Sequence, residues 1–95
     1  MQKVIQKFYR MERIMPKPVT QSGKKNLIGP RLIQLRKQQS LSQRDLAHKL
    51  QLAGYDMDKN VITRIETDKR YVTDIELKAL SDVFGVSYAF LIDGE

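Results

Sequence analysis

From residue 28 onward the apolar positions recur at helical spacing, and four of them open a repeated pattern. An apolar residue precedes a capping residue, and a second apolar residue stands four positions after the cap: Leu41, Ser42 and Leu46; Met57, Asp58 and Ile62; Val72, Thr73 and Leu77; Val86, Ser87 and Leu91. This is the hydrophobic staple, in which the apolar pair fixes the entry angle of the chain while the cap oxygen accepts from first-turn amides. Asp45 and Glu76 stand three residues after their caps, and Thr73 with Glu76 makes a full capping box. A fifth start precedes these, with Gly29 as cap and Pro30 at the first helical position, where its missing N–H costs nothing. Ile28, Leu32 and Leu35 then follow at helical spacing.

The spacing predicts helices over 30–39, 42–52, 59–67, 74–84 and 88–92, with Gly54 and Gly85 closing the second and fourth. No segment alternates as a strand, so the expected fold is all-α, a compact five-helix bundle. Such short helices cannot each bury a face alone. Leu32, Leu35, Leu41, Leu46, Ala47, Leu50, Val61, Ile65, Leu77, Leu80, Phe84, Val86 and Leu91 should therefore converge on one core.

Before residue 27 the pattern changes. Pro16, Pro18, Gln21, Ser22, Gly23, Lys24, Lys25 and Asn26 form a polar, helix-breaking stretch that reads as a linker, so the expected division is a basic N-terminal extension over 1–26 and a domain over 27–95. Within the extension Val4, Ile5, Phe8, Met11 and Met15 fall on one helical face, which suggests a short amphipathic basic helix or a solvated tail. With 95 residues and 41% hydrophobic content, one domain is expected. Seventeen Lys and Arg against eleven Asp and Glu give a net charge of +6, a balance that favours a polyanionic partner. The whole excess lies in 1–26, because residues 27–95 carry equal numbers of basic and acidic side chains. A basic face on the domain must then come from segregation of charge.

The second and third helices carry the candidate chemistry. Lys59, Asn60, Thr63 and Arg64 share a face opposite Val61 and Ile65. A helix in the DNA major groove needs such a face: Arg and Lys pair with guanine O6 and N7, Asn with adenine N6 and N7, and Thr meets polar edges or the thymine methyl. An ordinary solvated polar face has the same composition, and context decides between the two.

That context resembles a known family. Leu32 through Arg36, Leu41-Ser42-Gln43, Leu46-Ala47, Ile62-Thr63-Arg64-Ile65-Glu66, Lys69-Arg70, the helix with Leu77, Leu80 and Phe84, and Gly85-Val86-Ser87 followed by Leu91 are similar to the Xre-type, or phage repressor and Cro, helix-turn-helix family. The resemblance covers residues 28–94. It implies sequence-specific binding to a double-stranded operator, usually as a homodimeric repressor on a pseudo-palindrome. It assigns base reading to Lys59, Asn60 and Arg64, with Thr63 adjacent, and phosphate contacts to Gln43, Lys69, Arg70 and, more weakly, Arg44. Arg36 and Glu66 match a pair that bridges the first and third helices. The chain departs from the family in one place: Ala47 to Ile62 spans fifteen positions instead of the usual about ten, and Gln51 through Met57 must hold the surplus. That insertion bears on whether Arg64 or Thr63 faces outward.

Other chemistry lacks parts. Without cysteine there are no thiolate metal sites or cysteine nucleophiles, and the chain suits a reducing cytoplasm. His48 has no second ligand nearby, Asp56 and Asp58 lack the further oxygens calcium needs, and Ser81 and Ser87 have no base at catalytic spacing. Tyr71, Tyr88 and Phe90 are too scattered for a stacking platform and read as packing or interface. We therefore expect a cytoplasmic DNA-binding regulator rather than an enzyme, with no metal, cofactor, membrane or small-molecule effector. The rival expectation is a protein-interaction module of the same fold, an antitoxin or bridging factor, with non-specific DNA binding.

Overall fold

The structure, a computed structural model, describes Val19, Thr20 and residues 22–95. The amphipathic pattern of Val4, Ile5, Phe8, Met11 and Met15 lies outside the described residues. Those residues contain five helices and no strand: α1 (Gly29–Gln38), α2 (Gln43–Leu52), α3 (Lys59–Glu66), α4 (Asp74–Phe84) and α5 (Tyr88–Asp93). The all-α expectation holds. Four starts are capped at the staple positions, where the side chains of Ser42, Asp58, Thr73 and Ser87 accept from the backbone N–H of Asp45, Val61, Glu76 and Phe90. Both Ser42 with Asp45 and Thr73 with Glu76 close reciprocal boxes, so Asp serves as well as Glu here.

The start of α1 differs from expectation. Gly29 is not the cap but the first helical residue, and Pro30 is the second. The free N–H of Gly29 is taken by the side-chain oxygen of Asn26, 2.9 Å away, across the same three-residue separation at which the other four cap side chains accept. Gly29 also has to be small: a β-carbon there would come 2.9 Å from the carbonyl oxygen of Ile65 at the end of α3. Glycine at this position lets α1 cross close to the α3 backbone.

Helices α1, α2 and α3 end in the same hydrogen-bonded turn, in which a left-handed residue bonds to the carbonyl three residues back and the next N–H to the carbonyl five back. Gly54 closes α2, with Tyr55 N–H to Leu50 O at 2.9 Å and Gly54 N–H to Gln51 O at 3.0 Å. The other two use residues that carry a β-carbon: Ser40 (φ 54°) closes α1 and Asp68 (φ 59°) closes α3. Asp tolerates this conformation better than most residues, and Asp68 also uses its carboxylate. Its Oδ1 accepts from the backbone N–H of Lys25 at 2.8 Å and of Asn26 at 3.2 Å.

The core gathers Ile28, Leu32, Leu35, Leu46, Ala47, Leu50, Met57, Ile62, Ile65, Ala79, Leu80, Phe84 and Leu91. Leu41, Val61, Leu77 and Val86, expected inside, are only partly buried and pack against this cluster. The reason is clearest in α3, whose buried stripe is Ile62 and Ile65, three residues apart, which turns Val61 to the edge. The insertion is built into the body. In this stretch α2 runs to Leu52, Met57 is buried in the core, and the Tyr55 hydroxyl donates to the Asp82 carboxylate on α4.

Candidate nucleic-acid interface

With Ile62 and Ile65 inward, the residues on the far side of α3 are fixed by 3.6-residue geometry. Asn60 lies at the middle of that side, with Thr63 and Arg64 flanking it one turn on and Lys59 at its margin. Lys59, Asn60 and Arg64 are exposed, and among the described residues their side chains have no hydrogen-bond or ion-pair partner. Arg44 and Lys69 are likewise exposed and unpaired among the described residues. Arg64 stands in solvent and Thr63 is half-buried beside it.

Thr63 is half-buried because it belongs to a polar network under the face. Arg36 on α1 donates to Glu66 on α3 through Nε at 2.7 Å and Nη2 at 2.9 Å, and through Nη1 to the carbonyl of Leu41 at 3.0 Å. Gln43, the first residue of α2, donates from Nε2 to Glu66 Oε1 at 2.9 Å, and its own Oε1 accepts from the Thr63 hydroxyl at 2.7 Å. One chain of donors and acceptors thus ties three helices together. Glu66 is only 4% exposed through its side chain, a charge that needs these partners to be tolerated.

Two residues with expected phosphate roles carry internal duties. Gln43 spends one amide hydrogen on Glu66, which leaves its second for an outside acceptor. Arg70 forms an ion pair with Glu76 at 3.0 Å, linking the loop after α3 to the capping box of α4. Its guanidinium reaches outward only with the donors that remain. His48 is exposed, and Asp58 is occupied as the α3 cap. At the start of α2, hydrogen bonding from the Ser42 backbone N–H holds the Asp45 carboxyl below the usual carboxylate range.

Sequence reasoning missed Asn26 and Asp68, which tie the last turn of α3 and the residues just after it to the segment before α1. The Asn26 amide donates to Ile65 O at 3.1 Å and to Arg70 O at 3.0 Å while its oxygen receives Gly29 N–H, so every polar atom of this 8%-exposed side chain is satisfied. The C-terminal end of α3 is therefore held twice, through the Glu66 side chain and through the Ile65 carbonyl. An Asn three residues before a helix start, and an Asp directly after the last polar turn of another, are the local signals that mark them.

Among the described residues no helix is long and apolar enough to cross a membrane. No curated protein and no solved structure matches the chain. The helix-turn-helix family model does, over residues 32–91, from the first helix into the last. This is a family of DNA-binding regulators, typically without enzymatic activity. On that match, and on five helices arranged with a polar α3 face beside the start of α2, the chain belongs to the Xre/Cro-like helix-turn-helix family of DNA-binding regulators.

Proposed function

We propose that the protein is a sequence-specific, double-stranded-DNA-binding transcriptional regulator, a homodimeric repressor that inserts α3 in the major groove. The observation that carries this reading is the exposed trio Lys59, Asn60 and Arg64, unpaired among the described residues, on a helix whose opposite side is locked to the core. Lys59 and Asn60 in the first turn and Arg64 one turn on offer guanine- and adenine-reading donors, with Thr63 between them. Arg44 and Lys69 flank the face as phosphate contacts, Gln43 adds its remaining amide hydrogen, and Arg70 contributes the donors not held by Glu76. The basic extension reaches towards residue 26 and the DNA-binding domain spans 27–95, with Lys25 and Asn26, read from sequence as linker, hydrogen-bonded into the domain. Action in the cytoplasm, with no cofactor, fits this reading.

A second reading, a protein-interaction module such as an antitoxin or bridging factor, draws on one observation. Ile75 on α4 and Tyr88 on α5 are 69% and 47% exposed and line one shallow groove with Leu77 and Lys78. Selection of bound sequences from random duplex DNA separates the two readings. Recovery of a pseudo-palindrome supports the regulator, and salt-sensitive binding with no recovered motif supports the interaction module.

A further inference from the structure

The polarity of the network beneath α3 determines what Thr63 can say to a base. The Glu66 carboxylate paired with Arg36 accepts hydrogen bonds and donates none, so Gln43 must turn its NH₂ group to Glu66 Oε1 and its carbonyl oxygen to Thr63. The reverse amide orientation would set a carbonyl oxygen against a buried carboxylate. The two atoms nearest the Thr63 hydroxyl are then both acceptors, Gln43 Oε1 at 2.7 Å and the Lys59 carbonyl oxygen at 2.9 Å. A hydroxyl has one hydrogen, and here it is committed inward whichever acceptor takes it.

Resting on the regulator reading above, we infer that Thr63 recognises DNA through its methyl group and selects a 5-methylpyrimidine, thymine in ordinary DNA, at the step it faces. Its hydroxyl cannot donate outward to guanine O6 or N7, adenine N7 or thymine O4. With Oγ1 drawn back against the α3 backbone and across to α2, the methyl is what the half-exposed side chain has left to offer the groove. The thymine C5-methyl is the one apolar group the major-groove edge of a base pair presents, and an apolar contact there carries sequence information. Gln43 is a positioning residue in this scheme. It holds Thr63 in the methyl-outward state and need not touch a base.

The test uses the full chain and the preferred site obtained by selection. Each thymine of that site is replaced in turn by uracil, which changes nothing but the methyl. At one position in each half-site, uracil should weaken binding about fourfold, the value of one buried methyl-sized group. Thr63→Val, which keeps a methyl and loses the hydroxyl, should preserve the preference for thymine over uracil at that position. Thr63→Ser, which keeps the hydroxyl and the network beneath it, should abolish the preference. A preferred site with no uracil-sensitive thymine, or sensitivity that survives in Thr63→Ser or vanishes in Thr63→Val, overturns the inference and leaves the regulator reading standing. Failure to select any preferred site overturns both.

Discussion

Arg36 and Glu66 meet in two parallel hydrogen bonds, Nε to Oε2 at 2.7 Å and Nη2 to Oε1 at 2.9 Å, that join α1 to the C-terminal end of α3. Both side chains are largely shielded, at 14% and 4% exposure, so each charge depends on the other. Arg36→Ala leaves the Glu66 carboxylate with Gln43 alone and should cost about 3 kcal/mol in urea unfolding, well above the cost of an exposed pair. An unchanged midpoint would mean that water replaces the guanidinium freely.

The second clamp predicts a graded series at position 68. Asp68→Ala keeps a β-carbon in the left-handed conformation and removes the acceptor for Lys25 and Asn26 N–H, so it should destabilise by about 2 kcal/mol. Asp68→Gly loses the same acceptor but relieves the backbone and should recover about 1 kcal/mol of that. Equal losses for the two would show that the φ of 59° carries no strain.

The insertion predicts a pH signature. Hydrogen bonding from the Tyr55 hydroxyl holds the Asp82 carboxyl below its ordinary value, and the same bond raises the Tyr55 phenol above its own. The Asp82 contribution is present above the carboxyl's unfolded pKa and is lost as pH falls through the lowered folded value. The Tyr55 contribution is present below the phenol's unfolded pKa and is lost as pH rises through the raised folded value. Tyr55→Phe should therefore lower the melting temperature at neutral pH, with the gap to the native chain closing in strong acid and in strong alkali. A gap independent of pH would point to packing of the ring instead.

Most of the fold was legible because helix starts are written locally. Ser42, Asp58, Thr73 and Ser87 each sit between staple residues, and each caps the helix expected of it. What escaped is tertiary. Asn26 stands near Gly29 in sequence, but the orientation that lets it accept the Gly29 N–H depends on the carbonyls of Ile65 and Arg70 about forty positions away. The core assignment missed Ile62 for a related reason. Helical spacing marks Val61 and Ile65 as readily as Ile62 and Ile65, and only packing against α1 and α2 chooses the stripe. The polar face was legible as the complement of the apolar one, whereas the Gln43 to Thr63 bond needed two helices brought together.

We expect the N-terminal segment to bear on affinity rather than choice. Deleting residues 1–18 removes five basic side chains and one acidic one while leaving the Asn26 contacts intact. Binding to matched and scrambled duplexes should weaken together, and the slope of log affinity against log salt should flatten, since each neutralised phosphate contributes to that slope. Deletion through Asn26 should in addition destabilise the fold, because it removes the amide that holds Ile65 and Arg70. A salt slope unchanged by the shorter deletion would show that the segment's charges do not engage DNA.

The claim that the exposed side of α3 reads base pairs is tested most directly by comparing Asn60→Ala, Arg64→Ala and Lys69→Ala on the selected site, on single-base variants of it and on scrambled duplex. Asn60→Ala and Arg64→Ala should each lose about 1 to 3 kcal/mol on the preferred site and relax selectivity at particular base pairs, while Lys69→Ala should weaken every duplex about equally. In a dimer bound to that site the two α3 helices should lie roughly 34 Å apart, one duplex turn. Unaltered base preference in a chain carrying both Asn60→Ala and Arg64→Ala would contradict the assignment of this face to sequence reading.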